Sequence, residues 1–148
     1  VTTSLLIGNG YTITIPGELR GKGRPRFSTQ RGRPRAYTDA KTASAETWIK
    51  VCAIEQVGQP MLMGALNVTF MVGVAVPASW SKKKRAAALI GEIRPTGKPD
   101  FDNLAKLVSD ALNRIVWVDD AQITDVSFIK RYLDTPSTTI IVRMACPP

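Results

Sequence analysis

The sequence has no histidine and only two cysteines, Cys52 and Cys146, neither spaced as a metal ligand. Any metal site must therefore be built from oxygen donors, and both thiols are expected to be reduced and unremarkable. No apolar run approaches the roughly 20 residues of a membrane-spanning helix, and Leu5-Leu6-Ile7 is too short for a signal-peptide core. A cytoplasmic protein without membrane contact is the expectation. Acids are scarce as well, 12 against 20 Lys and Arg, giving a net charge of +8 and a pI near 9.9. A polyanionic partner follows, although the sign alone does not choose among DNA, RNA and a membrane surface.

What is present comes first as a contrast. Residues 100–125 hold Asp100, Asp102, Asp110, Asp119, Asp120 and Asp125, six of the twelve acids, against Lys106 and Arg114. That stretch is net −4 and the remaining chain +12. In an extended segment, residues two apart leave on the same side about 7 Å apart, so Asp100 and Asp102 can converge while Phe101 points away into a core. Two carboxylates about 4 Å apart repel by about 4 kcal/mol at an effective dielectric near 20, a cost that a shared cation or an adjacent ammonium reverses. Hard oxygen ligands suit Mg²⁺ or Mn²⁺ rather than zinc. An isolated Asp-x-Asp is also compatible with a solvated turn.

After Asp102 the period changes. Leu104, Leu107, Val108, Ala111, Leu112 and Ile115 recur at helical spacing, with Asn103, Lys106, Asp110 and Asn113 on the polar side. Asp102 is placed as an N-cap or first-turn acid, and Lys106 lies one turn along the same face, within reach of the carboxylates. The helix should end near Arg114 to Ile115, and Val116-Trp117-Val118 then leads in extended form to Asp119-Asp120. With no histidine to act as base, an aspartate or a metal-bound hydroxide must fill that role.

Three segments carry a resemblance: Lys98-Pro99-Asp100-Phe101-Asp102-Asn103-Leu104-Ala105-Lys106, Asp110-Ala111-Leu112-Asn113, and Asp119-Asp120-Ala121-Gln122-Ile123. Together they resemble the signature of the RusA family of Holliday junction resolvases. Gly23 to Phe27 and Trp80 to Arg85 are also similar to family segments, so the likeness spans about residues 11–143. It implies a small α/β (α+β) domain, a mixed sheet with helices packed on it, and a homodimer making Mg²⁺-dependent paired nicks in four-way DNA junctions. By motif position the essential acids fall on Asp100, Asp102 and Asp120 and the essential lysine on Lys106. Asp119 is a further candidate ligand, and Asn103 and Asp110 are support. One departure is Arg114, where many members have glycine. Two competing readings stay open: a nuclease for flaps or linear duplex, and a non-catalytic DNA- or RNA-binding module whose acidic knot is a structural ion-pair cluster.

At 148 residues and 44% hydrophobic, the chain reads as one domain. Residues 1–9 look like a loose tail, and Tyr11, Ile13 and Ile15 mark a short strand. Residues 17–38 form a basic loop rich in Gly and Pro, with Lys22, Arg24, Arg26, Arg33 and Arg35 as candidate phosphate contacts; a simply solvated loop is the bland alternative. A helix capped at Thr38 or Asp39 runs to Val57, with Ala45, Trp48, Ile49, Cys52 and Ala53 as its core face. Leu66 to Val76 alternates as a long central strand. A short helix from Ser81 to Ile90 opens with Lys82, Lys83 and Lys84, cations disfavoured at a helix N-terminus unless phosphate or solvent faces them. Arg94 and Lys98 are placed beside the scissile phosphate. Ala121 to Tyr132 and Thr138 to Met144 read as a closing hairpin, with a bulge between Ile123 and Val126.

Overall fold

Strand alternation and one strongly amphipathic helix account for most of the architecture. The computed structural model describes residues 10–20, 26–30, 33–37 and 40–146, the stretches 26–30 and 33–37 by backbone course only. Its elements are β1 (Gly10–Pro16), β2 (Arg26–Gln30), β3 (Arg33–Tyr37), α1 (Ala40–Val57), β4 (Leu66–Ala75), α2 (Lys82–Leu89), α3 (Phe101–Leu112), a 3-10 turn (Asp120–Gln122), β5 (Ile123–Leu133) and β6 (Ser137–Met144). The expected tail over residues 1–9 and the expected caps Thr38 and Asp39 lie outside the described residues. Within the basic segment 17–38, β2 and β3 pair as an antiparallel hairpin, which satisfies backbone groups where no apolar pattern announces a strand.

The main sheet has the order β1-β6-β4-β5, with β6 antiparallel to both neighbours and β5 parallel to β4. The anticipated β5–β6 hairpin is therefore corrected: the two strands flank β4 instead of pairing. Pairing on both sides satisfies the backbone of the most apolar strand, whereas a hairpin would leave it an open edge. The connection from β5 to β6 crosses close over β4 at Gly73, where an added Cβ would stand 2.6 Å from the Ser137 carbonyl oxygen. The bulge falls where the alternation slips, since Leu66 pairs with Ile123 but Asn67 with Asp125, leaving Thr124 as the extra residue.

Ile13 and Ile15, Leu66, Val68, Phe70 and Val72, and Ile140 and Val142 supply the sheet's share of the core. Against them lie Ile49, Cys52 and Ala53 of α1 and Leu104, Leu107, Val108, Ala111 and Leu112 of α3. Each fully buried leucine contributes about 1.5–3 kcal/mol relative to exposure, enough for three of them to fix the rotation of α3. Gln56 clips α1 to the edge of β1, accepting from Thr14 N at 2.8 Å and donating to Thr14 O at 2.6 Å. Burial pushes the Cys52 thiol up, with the Glu55 charge adding to it, so this sulfur stays neutral.

Trp48 is not core: it is 46% exposed, and its Nε1 donates to Pro16 O at 3.0 Å. An indole at a rim can bury its ring edge and still satisfy its N–H. Trp117 is the buried tryptophan, its Nε1 donating to Asn113 Oδ1 at 2.8 Å. Helix α3 stops at Leu112, earlier than its apolar period suggests, because Arg114 takes a left-handed conformation with φ 62. Arg114 N then donates to Trp117 O at 2.7 Å, folding the buried Ile115, Val116 and Trp117 back under the helix.

Candidate active site

The acid pair sits at the start of α3. Asp100 is the N-cap, with extended backbone (φ −70, ψ 152), and its carbonyl accepts from Leu104 N at 3.2 Å. Its side chain makes no capping hydrogen bond, so the carboxylate is not spent on the helix end. Asp102 follows within the first turn, where the dipole favours an anion. The helix thus begins between the two acids, and the expected extended arrangement is corrected accordingly. Phe101 is 66% exposed rather than core, its ring meeting Phe128 edge-on at 6.0 Å. Even so, Asp100 and Asp102 line one open depression, together with Thr96, Gly97, Phe101 and Lys130.

The loop leading into the pair contains a cis Lys98–Pro99 peptide bond. Lys130, from the middle of β5, donates to Gly97 O at 2.7 Å and to Pro99 O at 3.1 Å. Sequence reasoning missed this lysine. Its only signal was its place between Phe128 and Tyr132 in the strand's alternation.

Lys106 lies one turn along α3 from Asp102, and two acids further along the chain meet its ammonium. Its Nζ is 3.0 Å from Asp110 Oδ1 and 3.9 Å from Asp120 Oδ2. Asp119 is occupied as the N-cap of the 3-10 turn: its Oδ1 accepts from Ala121 N at 2.8 Å, and Gln122 Oε1 accepts in return from Asp119 N at 2.9 Å. Gln122 Nε2 also donates to Leu62 O and Gly64 O, both at 2.9 Å, fixing the turn against the approach to β4. That second missed residue was readable as the glutamine of a capping box. The neighbouring acids thus divide, Asp119 holding the turn and Asp120 facing Lys106.

Among the described residues no three acidic, histidine or cysteine side chains stand close enough to enclose a metal ion. Two carboxylates on an open depression nevertheless fit Mg²⁺, which takes all-oxygen ligands, keeps several waters and is commonly held by one or two carboxylates plus substrate phosphate. Asp120 belongs to the Lys106 arrangement instead.

The basic candidates lie on several separate elements. Lys82, Lys83 and Lys84 are exposed on the first turn of α2, which Ser81 caps by accepting from Lys84 N at 3.2 Å. Lys84 Nζ lies 3.9 Å above the Trp80 ring, which meets Tyr132 edge-on, and Arg85 pairs with Asp134. Arg94 is exposed beside a small hollow shared with Arg131, while Lys98 and Asn103 are exposed next to the acid pair. In the hairpin Arg26 stands opposite Tyr37, Arg35 opposite Ser28 and Arg33 opposite Gln30. Lys22 and Arg24 lie outside the described residues. No helix among the described residues is long and apolar enough to cross a membrane.

Comparison with known proteins points to one family. The family model for Endodeoxyribonuclease RusA matches residues 16–143. A Bacillus subtilis (strain 168) protein named "Uncharacterized protein YqaN" is 33% identical over 133 residues, covering 88% of this chain and 94% of that protein.

Proposed function

Because the chain belongs to the RusA endodeoxyribonuclease family, whose members act on branched DNA junctions, we propose that it is a Mg²⁺-dependent resolvase. In this reading a homodimer makes paired symmetric nicks across a four-way junction during recombination and repair. The observation that carries the reading is the depression at the head of α3, where Asp100 and Asp102 stand together and the Asp100 side chain makes no capping bond. Family membership supports the reaction, and the depression is the reason for choosing these residues.

Hydrolysis forms a bond from a water oxygen to phosphorus and breaks the bond to the 3′ oxygen, which takes up a proton. Mg²⁺, or Mn²⁺ in its place, would when bound lower the pKa of that water and offset charge on the phosphoryl oxygens. Asp100 and Asp102 would hold the ion, while Asp120, paired with Lys106, stands apart from that coordinating pair. Lys106 orients Asp120 and keeps positive charge near the developing phosphoryl anion. Asp110 also holds Lys106, and Asp119 contributes by fixing the turn that carries Asp120. Lys82, Lys83, Lys98 and the hairpin arginines would take the phosphates of the junction arms. Two nicks related by the junction's near-twofold symmetry require two such sites, hence two copies of the chain.

The test is incubation with a labelled four-way junction and a matched linear duplex, with and without Mg²⁺. Paired nicks confined to the junction and dependent on the ion are expected. Equal cutting of linear duplex would overturn junction selectivity, and no cutting with Mg²⁺ or Mn²⁺ would leave a binding module.

A further inference from the structure

Strand β5 points Phe128 and Lys130 from the same face, two residues apart, toward the segment before α3. Phe101 rests on Phe128, and the carbonyls of Gly97 and Pro99 accept both hydrogen bonds observed for the Lys130 ammonium. Between Ile93 N, bonded to Ala87 O, and Leu104 N, bonded to Asp100 O, residues 94–99 make no backbone–backbone hydrogen bond among the described residues. A Cβ added at Gly97 would meet no atom within 4 Å, so that side of the loop is open. Charge-assisted hydrogen bonds are about twice as strong as neutral ones. Among the described residues, the hydrogen bonds that tie this loop to the sheet therefore both come from one side chain, immediately before Asp100.

We infer that Lys130 is a positioning residue of the acid site, clamping the Gly97–Pro99 loop so that the Asp100 and Asp102 carboxylates face one cation. This rests on the nuclease reading above. Lys130 lines the same depression as the two acids, so two effects of opposite sign compete. Deleting a neighbouring positive charge by itself strengthens the binding of a divalent cation. Releasing the loop weakens it, because the two carboxylates must then be ordered by the ion. Loss of a residue that orients metal ligands typically costs about 10–100-fold in affinity.

The experiment is titration of the metal-free protein with Mn²⁺, followed by electron paramagnetic resonance, together with amide hydrogen exchange. Lys130→Met keeps the aliphatic stem and removes the donors, and Lys130→Arg restores donors and charge. For Lys130→Met, Mn²⁺ binding about tenfold weaker is expected. Exchange should be faster at residues 97–102 but not in β4, and Lys130→Arg should recover most of the loss. Junction affinity without metal should stay within about twofold, placing the defect at the ion and not at the DNA. Unchanged or tighter Mn²⁺ binding by Lys130→Met would overturn the inference, as would an Arg variant no better than Met. Should Lys130→Met not fold, Lys130→Gln, with a donor but no charge, carries the same comparison. Failure of the nuclease reading is seen separately, in wild-type protein that neither binds Mn²⁺ nor cuts junctions.

Discussion

The Lys106 ammonium and the Asp120 carboxylate lie 3.9 Å apart, joining the middle of α3 to the 3-10 turn that follows the buried Trp117. Asp110 holds the same ammonium at 3.0 Å. Lys106 is 60% exposed at its side chain, so solvent screens both pairs and their contribution to stability is below about 1 kcal/mol. On the proposed nuclease reading, its value is placement of charge. Lys106→Met is accordingly expected to unfold within a few degrees of wild type and to cut junctions about 10²–10³-fold more slowly. A variant with unchanged melting and unchanged cleavage would remove Lys106 from the site.

Asp100 carries no capping bond and is exposed, so its replacement leaves α3 intact. Asp100→Asn should abolish cleavage yet keep, or slightly tighten, junction binding, because one negative charge near phosphate is gone. Gel-shift affinity and cleavage measured on the same preparation check this. Parallel loss of both in a folded protein would contradict it.

Asp119 and Asp120 are adjacent in sequence and opposite in task. Asp119→Asn keeps an N-cap acceptor and should cut within about threefold of wild type, since asparagine caps as well as aspartate. Asp119→Ala should lose about 1 kcal/mol of stability. Asp120→Asn should instead lose cleavage with little change in melting. Cleavage lost in Asp119→Asn at unchanged stability would reverse the two roles.

The parts legible in the sequence are those with a long period. Ile13 and Ile15, the alternation from Leu66 to Val72, and the stripe from Leu104 to Leu112 all turn a simple repeat into a buried face. Sheet order was not legible, because alternation fixes which face of β5 and β6 is buried but not which neighbour each strand takes. Phe101 and Trp48 misled for a related reason: type suggests burial, but helix phase places them at an edge. Within the site, spacing brought Asp100, Asp102 and Lys106 together as candidates, and the family resemblance singled out Asp120. The Lys130 contacts depend on a fold that brings a strand under a loop some thirty residues earlier, which no local pattern records.

Arg114 occupies a left-handed conformation, φ 62, at the point where the chain leaves α3. A residue with a Cβ is disfavoured there by about 1–2 kcal/mol, while glycine is not. Part of the gain from Arg114→Gly is lost to the freer unfolded chain. A net stabilisation near 0.5–1 kcal/mol is expected, seen as a melting temperature about 1–4 °C higher. Arg114→Val should shift it downward, because a branched Cβ suits that region least. A glycine variant that melts lower than wild type would show that the arginine side chain holds the turn.

Lys82 and Lys83 sit on the first turn of α2, where no acid offsets them. Cations there oppose the helix dipole by about 0.3–1 kcal/mol each, so replacing them favours the helix. If they contact junction phosphates, the same replacement must weaken DNA binding, which gives two effects of opposite sign from one variant. The double substitution Lys82→Ala, Lys83→Ala should therefore melt slightly higher while the slope of log affinity against log salt falls by about 2. Single-turnover cleavage of already bound junction should stay close to wild type, because neither side chain lines the depression that holds Asp100 and Asp102. A raised melting temperature with an unchanged salt slope would leave this face of α2 to solvent and shift the phosphate contacts to the β2–β3 hairpin.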